Sequence, residues 1–248
     1  LRLRGHDGAI MQMLQTPDGS RLVSMADGPV ALLWELADAS TKPIELSGHD
    51  RLLNAFAISP DGQLLLTGGS DQVARLWNLN SDDVASSLLE LTGHEGKIEA
   101  VAWHPSMPVA VTASSDMSLG VWQIGRAKDE APNGTFDRQI IPIQETLTAL
   151  ACSHDGVWLA ARTMGPDLVD PQYDVLLFSW QDLIQVDGSP PPIRLNAPDA
   201  KRLAFLHHEN EALLVTGDRG GTISIYSVAE AMVRERPSVS SQADVESL

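Results

Sequence analysis

Short apolar segments separated by turn residues recur along most of the chain. Segments such as Leu53 to Ser59 and Ile98 to His104 mix apolar with small residues, as strands that are buried on both faces do. Turns of hairpin type occur at Pro17-Asp18-Gly19 and Pro60-Asp61-Gly62, where Pro presets φ and Gly accepts a positive φ. The pattern therefore predicts an all-β protein built from short strands that are joined by tight turns.

Four landmarks repeat in register through the first three copies of this pattern. Gly-His pairs stand at Gly5-His6, Gly48-His49 and Gly93-His94, and each His precedes a Pro by 11 positions and a Trp by 28 positions. A hydroxyl residue stands ten positions before each Trp, which gives the pairs Ser24 and Trp34, Thr67 and Trp77, and Thr112 and Trp122. This self-similarity predicts a repeat architecture with four strands in each unit of about 40–45 residues.

Two further units repeat the same order of segments in a weaker form. The fourth has lost its Gly-His pair, and its last predicted strand runs from Asp174 to Trp180. In the fifth, Tyr226 replaces the Trp. The five units are predicted at about residues 1–36, 43–79, 87–124, 138–181 and 192–228. The remaining residues, 229–248, are predicted to start with two helical turns over 229–236 and to continue as a polar tail or as the linker to a further repeat.

With these landmarks, the chain resembles the WD-repeat family of β-propellers over nearly its whole length. Glu35, Asn78 and Gln123 follow the Trp residues where the family carries Asp, and the linkers are similar to those of bacterial multi-repeat members. The resemblance implies a β-propeller of four-stranded antiparallel blades. Because the family mostly uses seven blades, we expect these five to be part of a larger ring. By register, Leu1 to Arg4 is predicted as the outer strand that precedes the first Gly-His pair. The alternative is a closed five-bladed ring in which this strand pairs with Thr222 to Tyr226.

The resemblance also implies a buried structural network in each of the first three blades. In such blades the His of the Gly-His pair links the Asp of the second tight turn, the strand hydroxyl and the Trp indole. The implied sets are His6, Ser24, Asp27 and Trp34; His49, Thr67, Asp71 and Trp77; and His94, Thr112, Asp116 and Trp122. The same residue types could form a nucleophile, a base and an orienting acid. Their recurrence in each well-matched unit favours the structural interpretation.

Composition narrows the classes of function further. The chain has 248 residues, with 17 Lys and Arg against 33 Asp and Glu, and its formal net charge is −16. This charge disfavours nucleic acid as a partner. The single cysteine, Cys152, excludes an intrachain disulfide framework, and no segment approaches the roughly 18 apolar residues of a membrane span. We expect no cofactor, no metal, no membrane partner and a cytoplasmic location.

Function is accordingly expected on the protein surface. The resemblance implies a non-catalytic scaffold or docking part that binds proteins or peptides beside the Gly-His pairs and the second tight turns. The predicted partner-binding residues are Asp7, Asp50, Arg51, Gln72, Glu95, Lys97 and Met117, with Met25 on the same face and the insertion Met164 to Tyr173 as a second candidate. Two alternatives are an accessory propeller of an enzyme whose catalytic domain lies outside this chain, and a propeller enzyme.

Overall fold

The chain forms two compact units, residues 1–142 and residues 143–248. The computed structural model describes residues 2–38, 40–125, 136–164, 174–185, 191–195, 197, 200–208, 211–218, 220–229, 232–235 and 239–240. For residues 136–137, 229, 232–235 and 239–240 only the backbone is described. In the described part of the chain, no helix has the length and the apolar character that crossing a membrane requires.

The first unit contains three four-stranded antiparallel sheets, which we call blades one to three. Blade one consists of β1 (Ile10–Gln15), β2 (Arg21–Ala26), β3 (Ala31–Glu35) and β4 (Ile44–Leu46). Blade two consists of β5 (Leu53–Ile58), β6 (Leu64–Gly69), β7 (Ala74–Asn78) and β8 (Leu89–Leu91). Blade three consists of β9 (Ile98–Trp103), β10 (Val109–Ser114), β11 (Ser118–Ile124) and β12 (Phe136–Pro142). The predicted all-β class and the four-stranded antiparallel blades are confirmed.

The second unit contains two further blades. Blade four consists of β13 (Thr146–Cys152), β14 (Trp158–Met164), β15 (Val175–Ser179) and β16 (Ile193–Leu195), with the helix α1 (Trp180–Ile184) between the last two strands. Blade five consists of β17 (Arg202–His208), β18 (Glu211–Gly217), β19 (Thr222–Ala229) and β20 (Met232–Glu235). A short strand, β21 (Val239–Ser240), also pairs with β19.

The outer strand of a blade precedes the next Gly-His pair in the chain. In blade one, Leu46 of β4 pairs with Ala31 of β3, and in blade two, Leu91 of β8 pairs with Ala74 of β7. The blades of the structure therefore begin at the strand that follows each Gly-His pair. This is one strand later than in units that are counted from the strand before the pair.

Apolar side chains from adjacent blades form the cores of both units. In the first unit, Leu33 and Leu46 of blade one are buried together with Leu53 and Trp77 of blade two. The same arrangement joins blade two to blade three, and, in the second unit, blade four to blade five. Blade two is thus covered on both faces, by blade one and by blade three, which explains why β6 is buried along its whole length.

Three predictions about local structure need correction. Of residues 229–236, predicted as two helical turns, the described ones are strand, because Ala229 ends β19 and Met232–Glu235 pairs with it. Trp180 begins the helix α1 and does not end a strand. Residues 2–4, predicted as an outer strand, carry no strand. Of the predicted insertion contact, residues 165–173 lie outside the described residues.

Candidate functional site

The buried network of blade three joins four side chains through one series of hydrogen bonds. The indole N–H of Trp122 donates to Thr112 Oγ1 at 2.9 Å, and Thr112 Oγ1 lies 2.7 Å from His94 Nε2. The other imidazole nitrogen, His94 Nδ1, lies 3.0 Å from Asp116 Oδ2. The strand hydroxyl is therefore linked to the turn carboxylate through the imidazole.

The ionisation of Asp116 sets the direction of these hydrogen bonds. Burial raises the pKa of Asp116, but hydrogen bonds from Ser118, the Glu95 backbone and His94 outweigh burial and lower it to about 2. Burial lowers the pKa of His94, although Asp116 opposes this effect. At neutral pH the pair is a carboxylate and a neutral imidazole. Because a carboxylate only accepts, Nδ1 of His94 carries the proton and Nε2 accepts from the Thr112 hydroxyl.

Blade two contains the same four residue types in the same arrangement. The indole N–H of Trp77 donates to Thr67 Oγ1 at 3.1 Å, and Thr67 Oγ1 lies 2.9 Å from His49 Nε2. His49 Nδ1 lies 3.0 Å from Asp71 Oδ1. Burial lowers the pKa of His49, and the pKa of Asp71 is also lowered because its hydrogen bonds from His49 and Arg75 outweigh burial.

Blade one contains only part of the network. The indole N–H of Trp34 donates to Ser24 Oγ at 2.8 Å, and His6 Nε2 lies 2.8 Å from the same oxygen. Asp27 is exposed, and among the described residues no hydrogen bond or ion pair joins it to His6. The structure therefore brings together His6, Ser24 and Trp34 but leaves Asp27 outside the network. Asp27 follows Ser24 by three positions, whereas Asp71 and Asp116 follow their hydroxyl residues by four, the position that Gly28 takes in blade one.

The turn carboxylates also hold the loops that follow the Gly-His pairs. The Glu95 backbone N–H donates to Asp116 Oδ2 at 2.8 Å, and the Asp50 backbone N–H donates to Asp71 Oδ2 at 3.3 Å. Farther along the loop of Glu95, the carbonyl of Lys97 accepts from the Ser115 N–H at 2.9 Å. In each of these two blades, one half-buried carboxylate thus closes the inner network and fixes the exposed loop above it.

The predicted partner-binding residues lie on this part of the surface. The set is exposed throughout and is called the Gly-His surface: Asp7, Asp50, Arg51, Gln72, Glu95, Lys97 and Met117. Gln72 and Met117 occupy equivalent turn positions with φ of 72° and 63°, and Met117 is 48% exposed. Met25 is different, because it is buried in β2 and does not reach this surface.

Comparison with known protein families finds a match for two segments of the chain. The family model for the WD domain, G-beta repeat, matches residues 41–78 and 85–123. These two segments are WD40 repeats. No curated protein matches the chain. The two matched segments contain both complete networks, and WD40 repeats generally mediate interactions between proteins.

A buried arginine in the first matched WD40 repeat was missed by the sequence analysis. The guanidinium of Arg75 contacts Asp71 Oδ2 at 2.5 Å and Glu90 Oε1 at 2.9 Å, and its side chain is only 5% exposed. Its Nη1 also lies 2.7 Å from His49 Nδ1. The sequence contains a feature that marks this residue: Arg75 is the one charged residue between Val73 and Trp77, and it follows Asp71 by four positions.

The imidazoles of the two complete networks are enclosed by the protein. The imidazoles of His49 and His94 are 1% and 0% exposed, and both of their nitrogens are engaged. Within the described residues, no three His, Cys, Asp or Glu side chains are grouped to hold a metal ion. Burial raises the pKa of Cys152 to about 12, so its thiol is a poor nucleophile at neutral pH.

Proposed function

We propose that the chain is a non-catalytic scaffold that binds proteins or peptides through the Gly-His surface. One observation carries this proposal: the exposed loops are fixed from below by the half-buried carboxylates Asp71 and Asp116. A loop that is already ordered loses little conformational entropy when a partner binds. The rigid blades therefore support binding side chains in a preset arrangement.

The charges of the Gly-His surface favour a partner that presents both signs. Arg51 lies next to Asp50 in the loop of blade two, and Lys97 lies two residues after Glu95 in the loop of blade three. Lys97 Nζ is 3.1 Å from Glu99 Oε1, but this pair is solvent-exposed and adds little to stability. Because exposed charges guide association and partner choice, Arg51 and Lys97 are the residues whose reversal tests the proposal.

The burial of both complete networks argues against a catalytic role for their side chains. A general base must reach a substrate within hydrogen-bond distance, and the imidazoles of His49 and His94 are enclosed. The proposed roles are therefore separate: the networks support the blades, and the exposed side chains contact the partner.

The test is affinity capture from cells of the source organism, followed by titration with the purified captured protein. We expect Arg51→Glu and Lys97→Glu each to weaken binding about tenfold or more, equivalent to ~1.4 kcal/mol. Lys42→Glu is the matched control, because Lys42 is exposed in the loop before β4, outside the Gly-His surface. The unfolding midpoints should stay near that of the unmodified chain. Equal binding by all four proteins would move the contact away from the Gly-His surface.

A further inference from the structure

A cavity of about 360 Å³ is lined by the turn that joins β5 to β6 and by the turn that joins β9 to β10. We call it the turn pocket. Both turns follow the end of a strand that begins after a Gly-His pair, so the turn pocket lies at the other end of these strands from the Gly-His surface. Its apolar wall is formed by Pro60, Trp103, Met107 and Pro108, and its polar members include Asp61 and Ser106.

The turn of blade three differs in sequence from the equivalent turns of blades one, two and four. In those three, an Asp follows a hydroxyl residue by two positions and a Gly follows it by three. The sets are Thr16, Asp18 and Gly19; Ser59, Asp61 and Gly62; and Ser153, Asp155 and Gly156. In blade three, His104 stands in the hydroxyl position and Met107 in the glycine position. The repeat thus departs from its own turn chemistry at the residue that lines the turn pocket.

Buried hydrogen bonds hold the blade-three side of the turn pocket in place. His104 is 2% exposed, and its Nδ1 accepts the backbone N–H of Ser106 at 3.1 Å and that of Met107 at 2.9 Å. The indole N–H of Trp103 donates to the carbonyl of Ala57 at 3.1 Å, which fixes the orientation of the ring. The wall is therefore ordered before a ligand arrives, as in most pockets that bind ligands.

The surface beside the turn pocket is negatively charged. Asp61 is exposed, and the turn that carries it packs against the equivalent turn of blade one. A Cβ added to Gly62 would stand 3.1 Å from Pro17 Cδ. The exposed Asp18 follows Pro17 directly and so adds a second carboxylate to this side of the protein. A cationic group next to the turn pocket is consequently favoured.

We propose that the turn pocket binds a peptide segment of a partner protein in which an apolar side chain stands next to a Lys or Arg. The apolar side chain enters the cavity beside Met107, whose flexible thioether adapts to side chains of different shape. The cation faces Asp61. Residues 52–74 and 98–125, which contain both turns, have no Lys or Arg that would repel it.

The net charge of the chain argues against a second copy as the occupant. At a formal charge of −16, two copies repel each other, whereas a basic peptide is attracted. Binding at the turn pocket is separate from the Gly-His surface and does not rest on the proposed function.

Selection of random peptides displayed on phage against the full chain supplies the probes. We expect the enriched sequences to share an apolar residue next to Lys or Arg, and we measure their affinities as synthetic peptides by calorimetry. Met107→Ser should weaken binding at least about tenfold, because apolar contact area is lost. Val157→Ser is the matched control, since Val157 is a 47% exposed residue of the equivalent turn in blade four and does not line the turn pocket.

A second pair of variants tests the charge without altering the apolar wall. Ser106 is exposed, and its backbone N–H still donates to His104 after its side chain is changed. Ser106→Lys should weaken binding of the selected peptides about two- to fivefold, and Ser106→Glu should strengthen it by a similar factor. Replacing the Lys or Arg of the peptide by Gln should remove both effects.

Four outcomes would overturn the proposal. These are enriched peptides without a cation, no enrichment at all, equal binding by folded Met107→Ser and unmodified chains, and no response to either change at Ser106. Self-association of the unmodified chain that Met107→Ser prevents would make a second copy the occupant, which also contradicts the proposal. Peptide binding should be unchanged in Arg51→Glu. Its loss there would assign the selected peptides to the Gly-His surface instead.

Discussion

His94 Nδ1 lies 3.0 Å from Asp116 Oδ2, in a contact that belongs to both the buried and the exposed parts of blade three. The same carboxylate oxygen accepts the backbone N–H of Glu95 at 2.8 Å. Asp116 thus links the core hydroxyl network to a loop of the Gly-His surface. A substitution at Asp116 should consequently affect the stability of the blade and the order of the loop together.

Removal of either side chain of the His94–Asp116 pair should destabilise the first unit. We expect His94→Ala or Asp116→Ala to lower the free energy of unfolding by about 1–3 kcal/mol, because each leaves buried polar groups without a hydrogen-bond partner. Urea unfolding followed by circular dichroism measures the change. Glu95→Ala is the control, since its exposed side chain can be lost while its backbone N–H still donates to Asp116. Unchanged midpoints in both test variants would refute the structural interpretation of the network.

The corresponding substitution in blade one should have little effect. Asp27 is exposed and is not bonded to His6, so Asp27→Ala should change the free energy of unfolding by no more than about 0.5 kcal/mol. The measurement is the same urea titration, run beside Asp116→Ala. A loss for Asp27→Ala as large as that for Asp116→Ala would mean that Asp27 joins the network after all.

The repeat landmarks predicted the blades because they are tied to strand register. A hydroxyl ten residues before a Trp places the two side chains on adjacent strands, and Thr112 and Trp122 are indeed bonded across β10 and β11. The outcome in blade one depended on the position of the turn carboxylate, because Gly28 stands four residues after Ser24, where Asp71 stands after Thr67. That spacing was visible in the sequence, but its consequence for Asp27 required the geometry of the turn.

Other features depended on tertiary contacts that the repeat does not encode. Arg75 occupies a position outside the four landmarks, and its burial depends on Asp71 and on Glu90 from the next strand. The residues of β20 have helical propensity, but pairing with β19 overrides it. The exposure of Ile10 could not be predicted either, since the matching Leu53 and Ile98 are buried.

Stability of the first unit should fall as the pH is lowered below about 6.5. Burial lowers the folded-state pKa of His94 below its ordinary value, so the unfolded chain takes up a proton first as pH falls. The lowered pKa of Asp116, about 2, acts in the same direction between about pH 4 and pH 2. In both windows the unfolded state binds more protons, and its free energy therefore falls relative to the folded state. Thermal unfolding at a series of pH values measures the effect.

Two variants assign these pH windows to their residues. His94→Gln should flatten the upper part of the profile, and Asp116→Asn should flatten the part below about pH 4. The dependence of stability on pH that remains in these variants comes from the other groups with lowered pKa values, among them His49 and Asp71. If neither variant changes the slope, titration of this pair does not contribute to the acid sensitivity.

The last prediction concerns Gly120, which lies against the network of blade three. A Cβ at this position would stand 2.5 Å from Thr112 Oγ1 and 2.8 Å from His94 Nε2, so these atoms would have to move. The equivalent residue of blade two, Arg75, carries a Cβ, which makes the close approach particular to blade three. We expect Gly120→Ala to lower the free energy of unfolding by about 1–3 kcal/mol, the usual cost of overpacking. Alanine should otherwise help a strand by reducing the entropy of the unfolded chain, so a loss isolates the steric effect. Gly28→Ala is the matched control, because a Cβ there would meet nothing within 4 Å. Urea unfolding of the two variants measures the difference. If the Gly120→Ala chain is as stable as the Gly28→Ala chain, the network accommodates the added Cβ without a loss of stability.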